Sequence, residues 1–232
     1  MIKEKEKELF TRWKAERSYA SFIEDGVFNE DEWNKQAIKI LYVLKEANWA
    51  DGNGDLCQIL LSEKSSNYWR TWNNIVRWTQ AIRHGGEYQK RVTKADKTEC
   101  LKTIAALNIK KVGGNAVADN DEIRKYGECD ASFINQQIEL YQPDFIVCCG
   151  RGTGKNAAIL HDCVLTTVSE WKERIETYSY FLCELSSGKT IPVLSFRHPQ
   201  MWGGHAAFEK SYHDMLMIAN ELRRRKHLKS YD

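Results

Sequence analysis

The stretch AIKILYVLKEA, residues 37–47, decides the fold of this chain. It is a continuous apolar run with β-branched residues, without the alternation of apolar and polar positions that a half-exposed strand shows. Runs of this kind are typical of strands in parallel sheets, where helices cover both faces. We therefore predict a central strand here, followed by the loop NWADGNGD, residues 48–55.

Strand-like and helix-like segments alternate along the rest of the chain. Further strands are predicted in KTIAALNIKKVGG (102–114), QPDFIVCCG (142–150), TYSYFLCEL (177–185) and TIPVLSF (190–196). Helices are predicted in WRTWNNIVRWTQAIRHGG (69–86), in residues 119–141, after the turn at 150–154 and from residue 206 onward. The alternation favours an α/β fold, and we predict a three-layer α/β/α arrangement around a central, mostly parallel sheet of four to five strands. Residues 1–36 are predicted to form an N-terminal helical extension packed on the main domain, residues 37–232.

Composition limits the classes of function. The chain has 232 residues, of which 42% are hydrophobic, so it can build a real core. Its formal net charge is +2, so binding to nucleic acid would depend on a local basic patch. The seven cysteines form no CxxC pair, which is typical of free thiols in a reducing cytoplasm. With no signal-peptide pattern and no apolar run of about 18 residues, we expect a cytoplasmic protein without a membrane span.

Polar residues gather where three of the predicted strands end. The segments are KEANW (45–49), LNIKK (107–111) and FRHPQ (196–200), and the last continues into MWGGH (201–205). In sheets of this class the ligand cleft lies outside the carboxyl ends of the strands. We therefore expect these segments to border one cleft.

The segment CCGRGTGKNAA, residues 148–158, is similar to a phosphate-binding loop but departs from it. Gly150 and Gly154 are separated by three residues instead of four, and Asn156 stands where a serine or threonine would hold magnesium. We interpret the segment as a tight turn between a strand and a helix, with Lys155 placed to contact a DNA phosphate.

Taken in order, four segments resemble the motifs of the uracil-DNA glycosylase superfamily, over about residues 38–215. They are LYVLKEANWADGNGDL, IAALNIKKVGGN, FINQQIELYQPDFIVCCGRGTGKNAA and PVLSFRHPQ. The resemblance implies a hydrolase that breaks the N-glycosidic bond between deoxyribose and a uracil-like or other deaminated base. The base would be flipped out of the stack into a pocket, and negative charge would develop on it as it leaves.

The resemblance assigns two tasks to the last of these segments. His198 matches the histidine that stabilises the charge on the departing base. The loop after it would press on DNA beside the flipped base, with Met201 or Trp202 as the wedge. Gly203 and Gly204 would let the backbone approach the phosphates.

The second segment would recognise the base and the DNA backbone. Asn108 matches the asparagine that reads the polar edge of the base, since an amide both donates and accepts hydrogen bonds. A basic stripe for the DNA phosphates would consist of Lys110, Lys111, Arg151, Lys155 and Arg197.

The first segment departs most from the family. Where the family often has Gly-Glu-Ala-Pro-Gly, this chain has KEANW. Ala47 lies at the base, in the position where the most active branches place Asp or Asn to position water. A carboxylate near the sugar can orient the attacking water, so Glu46 is the first candidate for this task. The amide of Asn48 and the carboxylate of Asp51 are the next candidates. Trp49 is a candidate to stack on the base.

These inferences predict an enzyme that acts on single- or double-stranded DNA as a monomer, without a cofactor or metal. Some branches of the family hold an iron–sulfur cluster with four cysteines. Cys129 falls near one of those positions, but the N-terminal pair is missing, so we predict no cluster. Two alternatives stay open: a catalytically silent module of the same fold that binds a nucleobase or nucleic acid, and a hydrolase of free nucleosides or nucleotides.

Overall fold

The computed structural model describes residues 1–48, 52–62, 69–114, 117–151, 155–171 and 173–230. Its strands are β1 (Ile23–Glu24), β2 (Gly26–Val27), β3 (Ile40–Leu44), β4 (Gly54–Asp55), β5 (Ala105–Asn108), β6 (Phe145–Cys149), β7 (Glu173–Ile175), β8 (Tyr178–Glu184) and β9 (Thr190–Phe196). Its helices are α1 (Ile2–Arg17), α2 (Glu30–Asn34), α3 (Leu56–Leu61), α4 (Arg70–Arg83), α5 (Lys94–Lys102), α6 (Asn120–Cys129), α7 (Ala131–Tyr141), α8 (Asn156–Ile159), continued by a π-helical turn (Leu160–Val164), and α9 (Gly204–Arg224). Within these ranges, no helix combines the length and the apolar character that crossing a bilayer requires.

The main sheet has seven strands in the described residues, in the order β2-β5-β3-β6-β9-β8-β7. The strands β5, β3, β6 and β9 in its centre are parallel, whereas β2, β8 and β7 are antiparallel to their neighbours. The α/β class is confirmed. The predicted number of four to five strands is too low, because antiparallel strands extend the parallel centre of the sheet at both edges.

The differences have simple causes in the sequence. β2 has two residues and β7 has three, so neither is long enough to show a periodic pattern. β8 and β9 were both predicted, and the short turn between them can join only antiparallel neighbours.

β3 is buried on both faces, as its sequence predicts. Ile40 and Tyr42 belong to a cluster with residues of α4 and α9, whereas Leu41 and Val43 belong to a second cluster with residues of α1 and α7. Burying a large aliphatic side chain contributes about 1.5–3 kcal/mol. The strand therefore ties helices on both sides of the sheet to one core.

The N-terminal helix α1 packs against α7, on the face of the sheet that α7 covers. Trp13 of α1 stacks on Phe133 with ring centroids 5.2 Å apart, and Arg17 pairs with Asp130 at 2.8 Å. Residues 1–36 also include β2, an edge strand of the main sheet. The prediction of a helical extension did not include this strand.

Backbone pairing continues past the carboxyl ends of β3 and β5. The Lys110 N–H donates to the Lys45 carbonyl at 2.9 Å, and the Gly114 N–H donates to the Ala47 carbonyl at 2.9 Å. These bonds hold the two polar segments side by side at one edge of the sheet. That edge carries the candidate site.

Candidate functional site

A cleft of about 790 Å³ opens at the carboxyl ends of the parallel strands. Of the residues predicted for the site, Glu46, Ala47, Asn48, Asn108, His198 and Trp202 line it. The remaining wall comes from α3, the start of α4 and the segment before α6. The expectation that the three polar segments border one cleft is confirmed.

His198 follows β9, and its ring is oriented by its own turn. The backbone N–H of Gln200 donates to Nδ1 at 3.2 Å. Nδ1 therefore acts as the acceptor, and in the neutral ring the proton is on Nε2. Desolvation of the ring, with the nearby charges of Lys45 and Lys155, lowers the pKa of His198 below its ordinary value of 6.5. At neutral pH the ring is thus an uncharged donor through Nε2.

The turn that carries His198 is held from behind by α4. The buried Asn74 side chain donates through Nδ2 to the carbonyl of Pro199 at 2.7 Å. Arg77 in turn donates to Asn74 Oδ1 at 2.9 Å and also bonds the backbone of residues 89 and 90. This role could not be predicted from the sequence, because the position of a polar residue on an apolar helix does not reveal its partner.

Asn108 is positioned by Asp25, a residue that the sequence did not single out. The backbone N–H and the side-chain Nδ2 of Asn108 both contact Asp25 Oδ2, at 2.7 and 3.2 Å. An ionised carboxylate only accepts hydrogen bonds, so the amide nitrogen faces Asp25. Within the part of the chain that the structure describes, the amide oxygen and the second N–H of Asn108 form no hydrogen bond, so both can serve a ligand in the cleft.

Lys111 does not contact phosphate, and that prediction is wrong. Its side chain is 0% exposed, and Nζ pairs with Asp25 Oδ1 at 2.6 Å. The ammonium also lies 5.1 Å from the centre of the Trp13 ring. Burial lowers the pKa of Lys111, and the charge of Asp25 opposes that shift.

Lys110 is also engaged within the protein. Its ammonium contacts Glu46 Oε2 at 2.9 Å and Glu122 Oε1 at 3.0 Å, and its side chain is only 6% exposed. This arrangement contradicts the predicted phosphate contact, since two carboxylates already balance the charge. Lys110 fixes Glu46 instead.

Glu46 lies under the surface of the cleft. A Cβ added to Gly114 would lie 1.9 Å from its carboxyl carbon, so only glycine at 114 leaves room for this side chain. Asn48 is exposed and forms an isolated parallel bridge with Gly114. Trp49 and Asp51, also predicted for the site, lie outside the described residues.

The loop after His198 exposes one aromatic ring. Trp202 is 81% exposed, and the guanidinium of Arg70 lies 5.1 Å from its centre. Met201 instead packs against the core, so Trp202 is the residue of the two that can reach a ligand. Gly203 and Gly204 both have positive φ, and a Cβ on Gly203 would lie 2.8 Å from that of Ala207.

Two more cations of the predicted basic stripe, Arg197 and Arg151, contact other side chains of the protein. Arg197 donates to Tyr178 and pairs with Asp214 at 2.9 Å. Arg151 lies over the same tyrosine ring, 4.6 Å from its centre. Lys155 lies near Lys45, a cation to which the sequence assigned no task.

No model of a protein family, no curated protein and no solved structure matches this chain. The resemblance to the uracil-DNA glycosylase superfamily therefore stays a prediction from the four motifs. Among the described residues, no group of three or more His, Cys, Asp or Glu side chains is arranged to hold a metal ion.

Proposed function

We propose that this protein is an N-glycosylase that removes a uracil-like or other deaminated base from DNA. The single observation that carries the proposal is the placement of a neutral imidazole donor, His198, and a fixed amide, Asn108, in one cleft. The cleft, about 790 Å³, is in the size range of small-molecule pockets. The four ordered sequence motifs support the same function.

The chemistry follows from where charge develops. As the glycosidic bond breaks, the electron pair moves onto the base, and a donor near a base oxygen lowers the energy of that state. His198 can supply this donor through the Nε2–H of its uncharged ring. Asn108 can pair with the polar edge of the base, since its amide has both a donor and an acceptor free of Asp25.

The attacking water needs a partner on the sugar side. Glu46 is the candidate, because this residue lines the cleft and Lys110 holds its carboxylate just below the cleft surface. A carboxylate there would orient water and stabilise the positive charge that develops on the sugar.

Contact with DNA is assigned to the aromatic rim of the cleft. Trp202 is exposed beside Arg70, and Trp69 is also partly exposed at the cleft. Exposed aromatic rings next to cations are suited to stacking on unpaired bases. This rim favours a polymeric substrate over a free nucleoside.

A second candidate is a module that binds a nucleobase or nucleic acid without hydrolysis. The observation in its favour is that the Glu46 carboxylate is paired with Lys110, while Ala47 offers no polar side chain. If Glu46 does not activate water, the cleft binds a base but leaves the bond intact.

The deciding experiment measures base release from single- and double-stranded oligonucleotides that contain uracil, hypoxanthine or xanthine, with free deoxyuridine in parallel. We expect release from an oligonucleotide by the wild type, and none by His198→Ala or Glu46→Gln. His213→Ala, which changes an exposed histidine of α9 outside the cleft, is the matched control.

Each other outcome points to one alternative. Binding that depends on His198 without any release identifies the silent module. Release from deoxyuridine alone identifies a nucleoside hydrolase. Unchanged release by Glu46→Gln would remove Glu46 from the mechanism.

A further inference from the structure

Two lysine side chains meet at Gly150, the residue that follows β6. β3 pairs with β6 in parallel, with Val43 opposite Cys148, so Lys45 comes beside Gly150 two residues later. A Cβ on Gly150 would lie 3.9 Å from Lys155 Cδ and 3.9 Å from Lys45 Cε. Both lysine chains therefore border the same point at the end of the sheet.

The same point is next to the His198 turn. The N–H of Gly150 donates to the carbonyl of Phe196 at 2.8 Å, which places the end of β6 against the end of β9. His198 lies two residues after Phe196. The charges of Lys45 and Lys155 both contribute, after desolvation, to its lowered pKa. Three groups that can donate to an anion thus gather where three parallel strands end.

These lysines differ from Lys110 and Lys111, each of which forms an ion pair with a carboxylate. Among the described residues, neither Lys45 nor Lys155 forms an ion pair, and the Lys45 ammonium donates to the neutral Asn120 side chain at 2.6 Å. The nearest acidic neighbour in sequence, Glu46, has its carboxylate on Lys110. Burial and the charge of Lys155 lower the pKa of Lys45, against a smaller effect of Glu46.

Positive charges held together without a counter-charge raise the free energy of the protein, and an anion between them lowers it. Lysine ammonium groups bind phosphate as point charges. We infer that Lys45 and Lys155, with His198 beside them, form a binding site for a phosphate group of the nucleotide whose base occupies the cleft. The nucleotide in this inference rests on the proposed function, whereas phosphate binding itself does not.

The phosphate could belong to a diester of a DNA strand or to the monoester of a free nucleotide. The test therefore compares three probes: inorganic phosphate, deoxyuridine 5′-monophosphate and a single-stranded oligonucleotide with one uracil. Deoxyuridine, which has no phosphate, is the reference ligand.

The variants are Lys45→Met, Lys155→Met and the double variant, since methionine keeps the length of lysine and removes its charge. The double variant Lys5→Met/Lys7→Met is the matched control. It removes the same charge from two exposed positions of α1 that do not line the cleft. Thermal unfolding of every variant checks that the fold is intact.

The first measurement follows the His198 ring signals by NMR as inorganic phosphate is added. We expect a saturable change in the wild type and in the control, and none in the Lys45→Met/Lys155→Met protein. This readout needs no base release, so it tests the phosphate site even if the glycosylase proposal fails.

The second measurement is equilibrium binding. We expect the phosphate-bearing probe to lose at least about tenfold in affinity in the double variant, as for loss of charged hydrogen bonds, while deoxyuridine binding is unchanged. For the oligonucleotide, the slope of log K against log salt should become shallower by about 0.7 for each lysine removed. Loss for the oligonucleotide alone identifies a backbone diester, and loss for the monophosphate alone identifies a free nucleotide. Wild-type binding of every probe by a folded double variant would overturn the inference.

Discussion

Two pairs of lysines stand at the same edge of the sheet, and their surroundings are opposite. Lys110 and Lys111, after β5, are nearly or fully buried and paired with carboxylates. Lys45 and Lys155, after β3 and β6, have no ion-pair partner among the described residues. The comparison teaches that the role of a strand-end lysine depends on which carboxylates the fold brings to it, and here these come from Asp25, Glu46 and Glu122.

The largest expected effect is on the buried pair. Lys111→Met leaves the Asp25 carboxylate buried without its cation, and loss of one partner of a buried pair typically costs about 3–5 kcal/mol. Urea unfolding should show this loss, whereas Lys45→Met should leave the free energy of unfolding nearly unchanged. Because the cost comes from the orphaned carboxylate, adding Asp25→Asn should cost less in the Lys111→Met background than in the wild type. Equal stability of the two single lysine variants would break the comparison.

Lys110→Met should have an intermediate effect. It leaves Glu46 without its close cation, and we expect a loss of about 1–3 kcal/mol in the free energy of unfolding. The control is Lys102→Met, which removes an ion pair with exposed Glu99 and should cost less than about 1 kcal/mol. If the two variants have equal free energies of unfolding, the buried Glu46–Lys110 pair contributes no more to stability than the exposed one.

Trp202→Ala extends the comparison to the loop after His198, where Trp202 is exposed and its neighbour Met201 is packed against the core. We expect its free energy of unfolding to change by less than about 0.5 kcal/mol. Its affinity for a single-stranded oligonucleotide should fall by about five- to a hundredfold through lost stacking. Met201→Ala, the neighbouring control, should instead reduce stability, because Met201 packs against the core. Full oligonucleotide affinity in Trp202→Ala would exclude it from the DNA contact.

The smallest expected effect is on the titration of His198. Nearby lysine charges disfavour the imidazolium, so Lys45→Met should raise the pKa of His198 toward 6.5. NMR titration of the ring measures this shift, and the ring of His213 serves as the reference. An unchanged pKa would place the Lys45 charge farther from the ring than the present geometry does.

The same group links stability to pH with a defined sign. Because the folded pKa of His198 is below 6.5, the unfolded chain binds more protons in that window, and the free energy of unfolding falls as pH drops below about 6.5. His198→Gln should remove this part of the pH dependence in urea unfolding. A slope as steep as that of the wild type would mean that other groups cause it.

Much of the fold could be predicted from local pattern. The long apolar run at β3 and the amphipathic sequences of α4 and α9 depend on residues close together in the chain, so their periods are visible in it. β2 and β7 could not be predicted, because strands of two or three residues are defined by their neighbours in the sheet and not by their own sequence.

Some residues of the candidate site could likewise be predicted from the sequence, and others could not. His198, Asn108 and Glu46 could be predicted because each lies within two residues of the end of a recognisable strand, and the carboxyl ends of parallel strands meet. Asp25 and Asn74 could not, since Asp25 is 83 residues from Asn108 and Asn74 is 125 residues from Pro199. Nothing in the local sequence connects such partners.

By itself, then, the sequence determined the class of fold, the central strand and the cleft at which three polar segments meet, because these depend on local periodicity and on the direction of parallel strands. Only the tertiary structure decided which of the charged side chains there are paired with a carboxylate of the protein. Lys111 pairs with Asp25 inside the protein, while Lys45 and Lys155 border the end of the sheet and form no ion pair with any residue that the structure describes. The physical reason is that hydration and pairing of a charge are set by groups within a few ångströms in space, and most of those groups are remote in the chain.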